Sequence, residues 1–202
     1  MTISIINRFV AGLALALLSA ALLVASPASA GTDPQQFIKA KHEDLTEILK
    51  AGKSADQESR IAKVFDSMLD YKTLAEESLR DHWASLNDEQ RREFSDILRQ
   101  LVQKAYRRNL DKTLGYDIAY RGQLAGDLGT VVQTVATNRS SNREEPVSVD
   151  YVVRPNQSAW LVVDIVTEGS SLVKGYRTQF NRIIKKDGFD GLVRRMKTKL
   201  ES

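Results

Sequence analysis

The sequence predicts an α+β fold: an antiparallel sheet of about four strands with helices packed over one face. Apolar residues recur at the helical period as far as Gly115, alternate at a period of two from Tyr116 to Val166, and return to the helical period beyond Gly169. The strand-like segments follow one another through short connections, which implies an antiparallel meander rather than a crossover sheet.

In the first helix Phe37, Lys41, Leu45, Ile48 and Leu49 form a modest stripe that ends near Gly52. Ile61, Val64, Phe65, Met68 and Leu69 define a second, and Trp83 and Leu86 a short third. Asn87 stands as an N-cap, with Gln90 three residues on in capping-box position. Behind it, Phe94, Ile97, Leu98, Leu101, Val102, Ala105 and Tyr106 fall on one face of the strongest helix in the chain. Tyr116, Ile118 and Tyr120 alternate with polar or small residues in a first strand, and Val131, Val132 and Val135 mark a second. A polar loop from Asn138 to Glu145 leads to a third strand with Val147, Val149, Tyr151 and Val153 on one face. Pro155-Asn156-Gln157-Ser158 reads as a tight turn. Trp160 to Val166 is apolar on both faces except at Asp164, as a central strand requires. Leu172, Tyr176, Phe180, Ile183 and Ile184 open another helix; Gly188 breaks it, and Phe189, Leu192, Val193 and Met196 close the chain in a last one.

The first thirty residues differ in kind. Arg8 is their only charged side chain, Phe9 to Ala25 is apolar or small, and Ala28-Ser29-Ala30 is a small-residue exit. This is the pattern of a cleaved secretory signal peptide over residues 1–30, favoured over an uncleaved anchor by that exit. Residues 31–202 are then expected to form one exported domain. Its 28 basic and 26 acidic residues nearly balance, which argues against nucleic acid as a partner. Without cysteine, neither a disulfide scaffold nor a thiolate metal site can form. No H-E-x-x-H, G-x-S-x-G or metal-spaced carboxylate cluster occurs, and the two histidines, His42 and His82, sit among neighbouring charges. No catalytic residue, metal or cofactor is assigned, and the chain reads as a non-enzymatic monomer.

Trp160-Leu-Val-Val-Asp164, Glu168-Gly169-Ser170-Ser171-Leu172-Val173, Tyr176-Arg177-Thr178-Gln179-Phe180, then Gly188 and Leu192 form one spaced pattern. It resembles the Mla-pathway lipid carrier (MlaC), or toluene-tolerance, family, over most of residues 31–202. The resemblance implies a periplasmic phospholipid carrier that shuttles lipid between an outer-membrane lipoprotein complex and an inner-membrane ABC transporter and so maintains outer-membrane lipid asymmetry. It alone implies that the sheet and helices enclose an apolar pocket. A hopanoid-associated branch leaves a related cargo as the alternative, and an adaptor domain with a solid core remains another. Ser170 departs from the valine usual after the glycine, which implies a shifted pocket wall.

A carrier needs an apolar hollow rather than an active site. Each methylene withdrawn from water gains about 0.8 kcal/mol, so two ordinary acyl chains represent roughly 20 kcal/mol. Candidate sheet-side lining residues are Val147, Val149, Tyr151, Val153, Leu161, Val163 and Ile165, facing Leu98, Leu101, Leu172, Tyr176 and Phe180 from the helices. The same residues could equally fill a solid core; only the family resemblance selects the hollow. On this placement Val149→Trp or Val163→Trp is expected to displace lipid. Tyr106, Tyr116 and Tyr176 are candidate hydrogen-bond donors to a headgroup or ester. Arg177 could meet a lipid phosphate, but a structural ion pair with Asp164 or Glu168 is the favoured reading. Arg194, Arg195, Lys197 and Lys199 could touch anionic lipid or an acidic partner, or simply be solvated.

Overall fold

The computed structural model of the chain describes residues 33–201 apart from 142 and 158. The expected signal peptide and the cleavage point before Gly31 lie outside the described residues.

Helix α1 (Pro34–Lys50) starts where Asp33 accepts hydrogen bonds from the Gln35 and Gln36 amides, with proline at the first helical position. It buries Phe37, Ile38, Leu45, Ile48 and Leu49, and α2 (Gln57–Met68) buries Ile61, Phe65 and Met68. Two short helices follow, α3 (Tyr71–Ser78) and α4 (Arg80–Trp83). The expected third helix around Trp83 and Leu86 is therefore displaced: Trp83 ends α4, and Leu86 lies buried in the turn beyond. Two turns or fewer offer too few apolar repeats to display a period. Asp70 starts α3 by accepting from the Thr73 amide and hydroxyl at 3.0 and 2.7 Å. The long helix α5 (Asp88–Thr113) opens with the expected capping box. The Asn87 side chain accepts from Gln90 N at 2.9 Å, and Asn87 N donates to Gln90 Oε1 at 3.0 Å.

Strands β1 (Tyr116–Gly126), β2 (Gly129–Asn138), β3 (Val147–Asn156), β4 (Ala159–Thr167) and β5 (Ser170–Ser171) form one sheet in that order. Every neighbouring pair of strands is antiparallel. The two-residue β5 is the addition to the expected strands; together with Leu69–Asp70, whose Asp70 amide donates to Val162 O at 2.9 Å, it covers the outer edge of β4.

One irregularity governs the sheet's inner face. Val152 pairs with Asp164 but Val153 pairs with Val162, so Val163 is an extra residue on β4. The bulge brings Val162 and Ile165, rather than Leu161 and Val163, beside Val153 and Tyr151. Val132, Val153 and Val162 are fully buried there against Ile38, Leu74, Phe94 and Leu98. Each such side chain contributes about 1.5–3 kcal/mol.

The bulge also turns Asp164 towards the start of α6 (Leu172–Glu201). Its carboxylate accepts from Val173 N at 3.1 Å, Ser171 Oγ at 2.5 Å and Ile165 N at 2.9 Å, while Ser171 Oγ accepts from Lys174 N at 3.0 Å. A negative group at a helix N-terminus also meets the positive end of the helix dipole. Helix α6 breaks at Gly188 (φ 71°, ψ 177°), as expected from the sequence.

A second buried polar group joins α1 to the sheet. His42 Nδ1 lies 2.8 Å from the Tyr120 hydroxyl and Nε2 lies 2.9 Å from that of Tyr151. A neutral imidazole has one N–H and one lone pair, so one tyrosine donates to it and the other accepts. Burial lowers the His42 pKa to about 4.

Two predictions follow from these buried groups. Asp164→Ala strips three donors of their acceptor and is expected to cost about 2–4 kcal/mol in urea unfolding, against about 1 kcal/mol for Ser171→Ala; a loss for Asp164→Ala no greater than for Ser171→Ala would contradict the cap. For His42, the unfolded imidazole titrates near 6.5 and the folded one near 4, so the unfolded state binds the extra proton between those values. Its contribution is complete above about pH 6.5 and is lost as pH falls towards 4, about 2–3 kcal/mol by pH 4.5. His42→Gln should therefore lose correspondingly less stability than the wild type between pH 7 and 4.5. Identical losses in the two proteins would disprove this assignment.

Candidate functional site

Two adjoining clefts lie beside the solid core. The larger, about 860 Å³, is bounded by α5 and by both halves of α6. Leu101, Phe180, Ile183, Leu192 and Met196 give it an apolar lining. The smaller, about 450 Å³, sits where Tyr106 of α5, Ile165 and Thr167 of β4, β5 and the first turn of α6 converge. Tyr176 and Gln179 border both, so the two adjoin along one side of α6.

The break at Gly188 allows both halves of α6 to line one space. Its positive φ suits glycine, which has no Cβ to clash. Three residues on, Gly191 is buried, and a Cβ there would stand 2.4 Å from Asp187 Cβ. Between them, these glycines permit a close return of the chain that larger residues would push apart. At Gly175 the situation is the reverse: a Cβ would meet nothing within 4 Å, because that side of the helix faces the smaller cleft.

Aromatic stacking shapes the junction. The rings of Tyr176 and Phe180 lie nearly parallel at 4°, with centroids 5.2 Å apart, and Phe94 meets Phe180 edge-on at 5.5 Å. Tyr106 stacks on Phe65 at 5.3 Å. Burial raises the pKa of both Tyr106 and Tyr176, so each phenol stays neutral. Charge is confined to the margin of the larger cleft, where Arg195 pairs with Asp187 at 2.6 Å and Lys104 Nζ donates to Leu200 O at 2.7 Å. Lys197 points elsewhere and pairs with Glu93 at 2.6 Å.

Of the residues expected to line a hollow, Leu101, Tyr106, Ile165, Leu172, Tyr176 and Phe180 border these clefts. The rest do not. Leu98 and Val153 are fully buried in the core, and Val149 and Tyr151 pack against it, Tyr151 held by His42. Val147 is half-buried and pairs with Ala136; Leu161 is half-buried and pairs with Arg154. Val163 is fully buried but outside the main apolar cluster. None of these seven residues borders either cleft, and α1, α2 and α3 pack directly onto β2 and β4. Val149→Trp or Val163→Trp would overpack solid structure rather than occupy a cleft.

Arg177 also differs from expectation. It reaches neither Asp164 nor Glu168; its Nε donates to Glu77 O at 2.7 Å and its guanidinium pairs with the Glu77 carboxylate at 2.9 Å, which ties α6 to α3. Asp164 is committed to the α6 cap, and Glu168 accepts from the Ser148 amide. Ser170 does border the smaller cleft, at the position where the sequence pattern departs from the family's usual valine. Cleft residues not anticipated include Ile183, Leu192 and Met196 of the apolar lining, and Gly175, Gln179 and Lys104; the break at Gly188 was the available signal that the end of α6 would line a space with α5.

The family model described as MlaC protein matches residues 39–198. No curated protein matches the chain. Among solved structures, a phospholipid-binding protein from Ralstonia solanacearum, determined in complex with a phospholipid, aligns with a TM-score of 0.71 at 24% identity. The alignment covers 84% of this chain and 98% of that one, and it shows a shared fold. Since the family match extends over most of the sequence, including almost all of the cleft lining, this chain belongs to the MlaC family.

Proposed function

We propose that the protein is a non-enzymatic periplasmic carrier of phospholipid, passing it between an outer-membrane lipoprotein complex and an inner-membrane ABC transporter. The observation that carries the reading is the pair of adjoining clefts, the larger with apolar walls, in a chain of this family. The phospholipid in the Ralstonia protein of the same fold supports it. The larger cleft alone falls within the range of about 300–1,000 Å³ usual for small-molecule sites.

The energetics favour a site of this construction. Roughly 20 kcal/mol opposes the passage of two free acyl chains through water. The walls formed by Leu101, Phe180, Ile183, Leu192 and Met196 offer acyl chains apolar surface in place of water. Membrane and carrier are then nearly balanced, and differences of about 1.4 kcal/mol at a docking partner change occupancy tenfold. Neither His42 nor His82 borders these clefts, and His42 is occupied by its two tyrosines. Binding and release need only apolar walls and a polar margin.

Gly175→Leu separates this reading from a merely structural role. Leucine is the better helix former by about 0.5–1 kcal/mol, so the fold should be maintained or slightly strengthened. Its side chain would enter the smaller cleft, and phospholipid loading from vesicles, read by native mass spectrometry, is expected to fall at least fivefold. Val149→Trp is expected instead to destabilise by about 1–3 kcal/mol through overpacking. A wild-type protein that never carries lipid, or a folded Gly175→Leu variant that loads as well as wild type, would count against the proposal.

A further inference from the structure

The two clefts differ at their margins. The smaller is bordered by uncharged polar groups, Thr167, Ser170, Ser171 and Gln179. Among the described residues, the larger is bordered by four cations, Lys104, Arg194, Arg195 and Lys199, and one carboxylate, Asp187. That carboxylate is already engaged by Arg195, and Lys104 is turned to the Leu200 carbonyl. Arg194 is exposed, and its guanidinium makes no hydrogen bond or ion pair among the described residues.

We infer that this margin is a headgroup subsite that favours phospholipids of net negative charge over zwitterionic ones, with Arg194 as the principal contact. The inference rests on the carrier function proposed above. Tails account for most of the binding free energy, but lipids with identical tails differ only in their heads, and the margin acts on that difference. A guanidinium presents a planar fork of donors that matches two phosphate oxygens, and here it stands beside low-dielectric apolar walls that strengthen the attraction. A zwitterionic head also brings an ammonium group to a margin of net positive charge, which offsets the gain at its phosphate. A net-anionic head brings no such opposing charge. Because these groups are exposed, the discrimination should weaken as salt rises.

The test uses vesicles containing phosphatidylglycerol and phosphatidylcholine of identical acyl chains in the same bilayer. Both lipids are then offered from one surface, so attraction of the protein to the membrane raises total loading without changing the ratio of lipids loaded. After incubation with the mature protein and its separation from the vesicles, extracted lipid is quantified by mass spectrometry. The loaded ratio is expected to favour phosphatidylglycerol about three- to tenfold over the vesicle ratio at low salt. It should fall towards parity in Arg194→Gln and recover in part in Arg194→Lys. Lys185→Gln removes one exposed charge away from both clefts and should keep the wild-type ratio. Parity in the wild type, or an unchanged preference in Arg194→Gln, overturns the inference while leaving the carrier function standing; absence of any loaded lipid refutes the carrier function itself. Glycerol phosphate alone, titrated calorimetrically, is expected not to bind. Binding of it that Arg194→Gln abolishes would make the margin a site for free phosphate and overturn the headgroup assignment.

Discussion

The clefts depend on where α6 begins, and that is set by a single buried carboxylate. Asp164 accepts from the Val173 amide and the Ser171 hydroxyl, which ties the first turn of α6 to strand β4. A carboxylate away from water is costly unless its lone pairs are used, and here three donors converge on it. The bulge at Val163 separates the register of Val162 from that of Asp164 and Ile165, so Val162 and Ile165 share the apolar face while Asp164 alternates away from Ile165. One extra residue in β4 therefore supplies both the apolar face that closes the core and the polar anchor from which α6 departs. Tyr176, Gln179 and Phe180 then take their places along the clefts as consequences of the helix period.

The core and the clefts are built from the same residue types but reach different packing. Against β2 and β4, helices α1, α2 and α3 lie close, and Ile38, Leu74, Val132, Val153 and Val162 are fully buried. Farther along, α5 meets a helix that changes direction at Gly188, and two straight rows of side chains cannot stay interlocked across such a break. Space opens there. Packed core and cleft are thus different parts of one apolar layer, joined through Ile165, Phe180, Leu192 and Met196, which belong to both. The buried His42, with both ring nitrogens engaged by tyrosine hydroxyls, belongs to the closed part and locks α1 onto the sheet.

Much of the fold was legible because long elements display their period. The run from Phe94 to Tyr106, the Asn87–Gln90 capping box, the strand alternation and the break at Gly188 all appear where local chemistry demands them. Short elements were not legible: α3 has two turns and β5 two residues, too little for a pattern. The site was legible only in part. Leu101, Tyr106, Leu172, Tyr176 and Phe180 lie on helix faces whose direction the period determines. The sheet-side residues depended on register, which one inserted residue alters, so alternation selected Leu161 and Val163 where the bulge presents Val162. Arg177 was misplaced for a related reason: its partner Glu77 is a hundred positions away in sequence, on a helix without a sequence signature.

The closing half of α6 is held chiefly by its apolar side. Leu192 and Met196 are buried, and withdrawing each from its neighbours would cost about 1.5–3 kcal/mol. The polar ties to α5 are weaker: the exposed Lys197–Glu93 pair is worth about 0–1 kcal/mol, and Lys104 contributes one hydrogen bond to the Leu200 carbonyl. Burial of apolar surface, rather than ion pairing, therefore keeps this half-helix in place. An acyl chain entering the cleft offers the same kind of surface, so it can replace the contacts it disturbs without an additional polar penalty. Had the half-helix been clamped by buried ion pairs, cargo would have to displace groups it could not satisfy. A wall held by apolar burial can give way to a ligand of the same chemistry at little net cost.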